Sequence, residues 1–264
     1  MSAPRSFLYV PGDRPDRLAK SRGRGADAVI ADLEDAVAPG DKDAARDRVS
    51  DWLDALPTGP GPETWVRVNR GDRQDDDLRV AAHPRVVGVL LPKVDRADEI
   101  VRAEAVVARL RPGLRWAPMI ESAVGLVHLQ EIAAAANVHQ LHIGEMDYAA
   151  DLGLTPTEGE EELLHARSAL VVASRAAGLM PPSAPVSAEI DDAARYETTT
   201  RRLKAFGYFG RDCIHPAQVA VANRVFTPSA ADIAWAHEVQ ERAAEGPGAF
   251  RDGRGAMVDE AVLR

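Results

Sequence analysis

Ala117-Pro118-Met119-Ile120-Glu121-Ser122-Ala123-Val124-Gly125-Leu126 reads as the end of a buried strand: an apolar run, an acid, then small residues that permit a sharp turn. Leu141-His142-Ile143-Gly144-Glu145-Met146-Asp147-Tyr148 repeats the arrangement further along. A carboxylate at the carboxyl end of a buried strand is costly unless something offsets its charge. Two of them, one αβ unit apart, point to a hard cation between them. The plainer alternative has Glu121 capping the next helix and Asp147 starting a turn.

Outward from this pair, short β-type runs alternate with longer amphipathic segments. The strand candidates are Ser6–Val10, Ala28–Leu33, Thr64–Val68, Val87–Leu91, Trp116–Ile120, Gln140–Ile143, Val186–Ile190 and Tyr208–Ile214. Helical patterns include Lys42–Leu56, Ala97–Leu110, Val124–Ala136, Glu160–Ala177 and Ala193–Phe206. Eight strands alternating with helices predict an α/β TIM (β/α)8 barrel. A doubly wound sheet would call for a Gly-rich first turn, and GxGxxG is absent. Val186–Ile190 is the weakest strand, crowded by Pro181, Pro182 and Pro185. Glu245-Gly246-Pro247-Gly248 breaks the last helix, so residues 1–245 are expected to form the barrel and 246–264 a short C-terminal helical tail or lid.

Bulk properties narrow the partners. With 45% apolar residues in 264, the chain can bury a sizeable core, and its net charge of −9 argues against a nucleic-acid partner. The single cysteine, Cys213, fits a reducing cytosol. No apolar h-region follows Met1, and no stretch approaches the ~20 apolar residues of a membrane span, so a cytoplasmic, membrane-free protein is expected.

The active face of such a barrel is its strand carboxyl ends. There the chain places Glu34 and Asp35, Arg67 and Asn69, Lys93, Glu121, Asp147 and His215. Glu121 and Asp147 are the natural cation ligands. Two carboxylates leave most of an octahedral shell to water and substrate oxygens, as Mg²⁺ prefers, whereas the seven scattered histidines and lone cysteine offer no zinc spacing. Glu34 and Asp35 either orient metal-bound waters or favour a helix N-terminus. Arg67, within Trp65-Val66-Arg67-Val68-Asn69, suits a bidentate substrate carboxylate or an ion pair with Glu34 or Asp35. Lys93 serves similarly or is simply solvated. His215 is either structural or catalytic, and Cys213 reads as core.

Several stretches in order resemble the citrate lyase β-subunit-like branch of the HpcH/HpaI aldolase superfamily: Arg5-Ser6-Phe7-Leu8-Tyr9-Val10-Pro11-Gly12-Asp13-Arg14-Pro15, Asp32-Leu33-Glu34-Asp35-Ala36-Val37, Val66-Arg67-Val68-Asn69, Leu91-Pro92-Lys93-Val94, Ile120-Glu121-Ser122-Ala123 and Asp147-Tyr148-Ala149-Ala150-Asp151-Leu152-Gly153. Cys213-Ile214-His215-Pro216-Ala217-Gln218-Val219 and Val225-Phe226-Thr227-Pro228-Ser229 complete the series. The resemblance implies a TIM barrel, Mg²⁺, commonly a homotrimer, and cleavage or formation of C–C bonds in carboxylated β-hydroxyacyl-CoA thioesters. By motif match it makes Glu121 and Asp147 the metal ligands and Arg67 the substrate-carboxylate arginine. It places Arg14, His215 and Pro216 at the mouth for acyl and CoA groups. It makes Asp259 a lid acid/base reaching a neighbouring subunit, with Glu34 or Asp35 the lesser candidates for the base. Backbone amides or Arg14 would steady the thioester enolate.

Three departures stand out. Glu145 is an extra acid beside Asp147, able to bind metal or reshape the pocket. Arg211 stands where relatives often carry lysine, still compatible with phosphate. The region between Glu238 and Met257 is short. The competing readings are a class II aldolase releasing pyruvate from free hydroxy-oxo-acids, which usually has histidine where Asp35 stands, and an accessory subunit of a larger lyase.

Overall fold

The β-type runs become one parallel sheet in the computed structural model, which describes residues 3–244, 246 and 248–263. Its strands are β1 (Ser6–Pro11), β2 (Ala28–Asp32), β3 (Glu63–Arg67), β4 (Gly88–Leu91), β5 (Arg115–Ile120), β6 (His142–Ile143) and β7 (Arg211–Cys213). They lie in the order β6-β5-β4-β3-β2-β1-β7. Helices separate them: α1 (Pro15–Ser21), α2 (Lys42–Asp54), α3 (Gln74–Ala81), α4 (Ala97–Val107), α5 (Ala123–Val127), α6 (Leu129–Ala133), α7 (Glu145–Leu152), α8 (Leu164–Ala176), α9 (Ala193–Phe206) and α10 (Pro216–Phe226).

The strands are buried on both sides, as a parallel sheet covered by its crossover helices requires. Alternate residues divide into two layers. Phe7, Tyr9, Ala28, Ile30, Trp65, Leu90, Ala117 and Met119 pack together on one face. Leu8, Val10, Val29, Ala31, Val66, Val89, Trp116 and Ile120 join the helix-facing core on the other. Gly88 makes the first layer possible, because a Cβ there would meet the Trp65 ring at 2.2 Å.

Register then sets the site. Pro11 pairs with Asp32, Asp32 with Arg67, and Arg67 with Leu90, so neighbouring strands end nearly level. Their terminal side chains and the loops that follow meet at one rim.

The expected strand over Val186–Ile190 is not formed. The link between β6 and β7 is instead the preceding segment. Met180 and Ser183 donate N–H groups to the carbonyls of His139 and Leu141, while Ala184 exchanges bonds with Gly210 and Asp212. Only Ala184 pairs as a bridge, with Arg211. Pro181, Pro182 and Pro185 lack the N–H groups a ladder needs. The expected helix Val124–Ala136 is likewise divided, as α5 and α6, at His128.

The chain groups into Met1–Phe226, which holds this sheet, and Thr227–Arg264. The second unit carries α11 (Ala230–Ala244), an antiparallel pair β8 (Phe250–Arg251) and β9 (Met257–Val258), and α12 (Glu260–Leu263). Within it Trp235 Nε1 donates to Asp252 Oδ2 at 2.7 Å. No helix among the described residues is long and apolar enough to cross a membrane.

Candidate active site

A cavity of about 540 Å³ opens at the rim of strand ends. Glu121, Asp147, Arg67, His215 and Pro216 line it. Glu121 follows β5 directly and is buried, with one carboxylate oxygen accepting the Lys93 N–H at 2.6 Å. Burial pushes its carboxyl up to about 7, and the charges of Glu34 and Asp147 push the same way. The helix-capping alternative fails for Glu121, since Ser122 Oγ accepts from Gly125 N and caps α5. Asp147 sits in the first turn of α7 and is half exposed. Gly144, at the start of α7, is where a Cβ would meet Glu121 Oε1 at 2.2 Å. The absence of a side chain there lets the two strand ends approach.

Arg67 is held from behind. Its Nε and Nη2 donate to the two oxygens of Asp32 at 2.8 and 2.6 Å, and Nη1 lies 2.9 Å from Glu34 Oε2. The guanidinium rests over the Tyr9 ring, 5.1 Å from its centroid. Three of its five N–H groups are thus engaged, so an ion-pair role and a ligand-facing role are compatible. The alternative pairing with Asp35 is not the one formed; Asp32 takes that place because register sets it beside Arg67 on the adjacent strand.

Lys93 ties the acids together. Its Nζ reaches Glu34 Oε1 at 2.8 Å and Asp35 Oδ2 at 3.2 Å, and lies 4.0 Å from Asp147 Oδ1. Its backbone is left-handed, with φ +53°, a conformation uncommon for a side-chain-bearing residue and worth about 1 kcal/mol of strain. Burial pushes the Glu34 carboxyl up against the opposing charge of Arg67. For Asp35 burial acts the same way, but the hydrogen bond and charge of Lys93 outweigh it and hold the carboxyl down. Around Glu121, then, Asp32, Glu34, Asp35 and Asp147 outnumber the cations Arg67 and Lys93.

Other predicted residues fall differently. His215 Nδ1 accepts from Ala217 N at 3.2 Å, securing the first turn of α10, while its exposed ring lines the cavity. Arg14 is exposed and pairs with Asp16; besides Arg67, the arginine and lysine side chains lining the cavity are Arg17, Lys20 and Arg24. Glu145 is clamped by Arg167, with Nε–Oε1 at 2.6 Å and Nη2–Oε2 at 2.7 Å, so both of its oxygens are already engaged. Asp259 lies in the second unit, its carbonyl accepting from Val262 N at the start of α12. Cys213 is buried, its thiol pushed up to about 12 by that burial.

Sequence reading missed a buried chain beneath the cavity. Tyr9 Oη donates to Asp212 Oδ2 at 3.2 Å, His142 Nδ1 faces the same oxygen at 2.9 Å, and Ser183 Oγ donates to Oδ1 at 2.7 Å. Burial and the Asp212 charge push the Tyr9 phenol up, keeping it a neutral donor. Separations of up to 203 residues gave this network no local signal.

The chain is 36% identical to a citrate lyase subunit β-like protein of Deinococcus radiodurans, over 100% of this chain and 96% of that one. It is 34% identical to an L-malyl-CoA/β-methylmalyl-CoA lyase of Cereibacter sphaeroides, over 98% and 91% of the two chains. Its structure is similar to protein CitE of Mycobacterium tuberculosis solved with magnesium, acetoacetate and coenzyme A, with TM-score 0.79, 34% identity, and 99% and 94% coverage. Residues 5–216 match the model of the HpcH/HpaI aldolase/citrate lyase family, and the chain belongs to that family.

Proposed function

We propose that this chain is a Mg²⁺-dependent carbon–carbon lyase that cleaves or forms a carboxylated β-hydroxyacyl-CoA, of the malyl-, citramalyl-, citryl- or hydroxymethylglutaryl-CoA kind. The observation that carries the reading is Glu121. A buried carboxyl raised to about 7, beside the cavity-lining Asp147, is an acid whose ionised form awaits a cation. The donors are oxygens only. Among the described residues no group of three or more His, Cys, Asp or Glu is placed to hold a metal. Two protein carboxylates with water and substrate completing the shell suit Mg²⁺ better than Zn²⁺. When bound, Mg²⁺ would supply Lewis-acid stabilisation to the substrate's carboxylate and carbinol oxygens.

The chain's own residues do the rest. Arg67, oriented by Asp32 and Glu34, offers its remaining N–H groups to the substrate carboxylate. Arg17, Lys20 and Arg24 give one wall the positive charge that CoA phosphates need. Asp259 takes the carbinol proton as the carbon–carbon bond breaks, delivered by the tail over 246–264 acting as a lid. This assignment leans on the family resemblance, which also supports a closed (β/α)8 barrel, a trimer in which the lid serves a neighbouring subunit, and a cytoplasmic setting. The acetoacetate and coenzyme A bound by the M. tuberculosis protein support the substrate class.

Mass spectrometry of the purified protein with Mg²⁺ and a panel of acyl-CoAs tests the reading. Acetyl-CoA or propionyl-CoA released by wild type, and lost in Glu121→Gln, Asp147→Asn or EDTA, is the expected result. Cleavage of CoA-free hydroxy-oxo-acids alone would replace it with the pyruvate-aldolase reading. Turnover appearing only with an added protein would make the chain an accessory subunit.

A further inference from the structure

A second cavity, of about 580 Å³, lies beside the first and shares Glu145, Met146 and Val186 with its wall. It is bounded by α7, α8, α9 and the segment after Ala184. Two buried arginines line it, and they differ in one respect. Arg167 is neutralised, by Glu145 on one edge and by Glu160 at 2.8 Å on Nη1. Arg211, only 3% exposed, has neutral partners throughout. Its Nε donates to the Pro185 carbonyl at 3.1 Å, and Nη1 donates to the Tyr196 carbonyl, Thr199 Oγ1 and Thr200 Oγ1. Its face lies 4.1 Å above the Tyr196 ring. Among the described residues it forms no ion pair, and its Nη2 donates to none of them.

A guanidinium stays protonated in any protein setting. A buried one without a directly paired acid therefore carries a desolvation cost. Burial pulls the Arg211 guanidinium down from its ordinary affinity, the opposite of the upward shift that the acids impose on Arg167. Hydrogen bonds account for Nε and Nη1 and the Tyr196 ring for the guanidinium face, which leaves the Nη2 edge unaccounted for. Glu145 and Glu160 act on Arg211 only through space, and its Nη2 edge is left without a protein partner among the described residues. The remaining charges on the wall, Glu189 and the exposed Arg195, offset each other, and Leu154, Leu163 and Leu203 supply apolar surface. One open edge on a guanidinium that Glu145 and Glu160 already influence matches a monoanion and disfavours a phosphate dianion.

We infer that this second cavity binds a small aliphatic carboxylate, with its headgroup on Arg211 and its chain along Leu154, Leu163 and Leu203. The site needs neither metal nor thioester, so it stands apart from the proposed lyase reaction. Calorimetric titration of the intact protein with butanoate, hexanoate and octanoate, and in parallel with inorganic phosphate, tests it. Saturable binding of one carboxylate per chain is expected in wild type and in Glu121→Gln. Arg211→Gln should weaken it at least tenfold. Ala150→Phe should do the same by filling the space from an exposed position on α7, without touching the buried arginine, so it decides the matter if Arg211→Gln fails to fold. The inference is overturned by any of three results: no saturable carboxylate binding, binding by phosphate alone, or carboxylate affinity unchanged in Ala150→Phe. Binding abolished by Glu121→Gln would move the ligand to the first cavity and overturn it equally.

Discussion

Gly144→Ala is the sharpest perturbation the site permits. The backbone at Gly144 has φ −97°, which alanine accepts, so the substitution carries no conformational penalty. The cost comes from proximity. The new Cβ would stand 2.2 Å from Glu121 Oε1, 2.7 Å from its Cγ and 2.8 Å from its Cδ, where ordinary contact begins at 3.4 Å. Glu121 is buried and tethered to the Lys93 N–H, so it cannot swing clear. Either the carboxylate leaves Lys93 or α7 backs away and takes Asp147 with it. Both routes change the spacing of the two carboxylates by about 1 Å, and displacement on that scale costs about 100-fold in rate, or about 2.7 kcal/mol of transition-state stabilisation. Overpacking should also remove roughly 1–3 kcal/mol of stability. The assay is kcat/KM for acyl-CoA cleavage across a Mg²⁺ titration, with Gly40→Ala as control because nothing lies within 4 Å of a Cβ there. A Gly144→Ala enzyme within threefold of wild type at all Mg²⁺ concentrations would refute the reasoning.

Three further outcomes are expected. Glu121 titrates near 7 in the metal-free fold against an ordinary value of 4.5, so its protonated form is the one the fold favours. Its contribution is greatest below about pH 4.5 and fades as pH rises through 7, a loss of about 3 kcal/mol that Glu121→Gln should abolish; equal pH slopes for the two proteins in urea denaturation would count against this. Arg167→Gln strands Glu145 and Glu160 without their cation and should cost roughly 3–5 kcal/mol in the same measurement, with a loss under 1 kcal/mol contradicting it. Asp259→Ala should reduce turnover by roughly 100-fold while leaving Mg²⁺ affinity near wild type, and unchanged turnover would reduce the tail to a structural role.

The alternation of apolar runs with amphipathic segments was legible because strand and helix periods are local properties of the chain. So was the placing of an acid after β5 and another shortly after β6, in the first turn of α7, which directed attention to Glu121 and Asp147 without knowledge of the fold. The segment between β6 and β7 was legible only as trouble: its prolines signalled a poor strand, but not that the bridge would form at Ala184 rather than beyond Val186. What required the folded chain was the identity of partners. Arg67 meets Asp32 through parallel register, Lys93 holds Glu34 through a left-handed backbone, and Glu145 is clamped by an arginine on the following helix, 22 residues on. Charges attract across whatever gap folding closes, and chain spacing carries no record of that gap. The same holds for Arg211: its sequence neighbours suggest an ordinary basic residue, and only packing shows that it is buried with no acid directly paired to it.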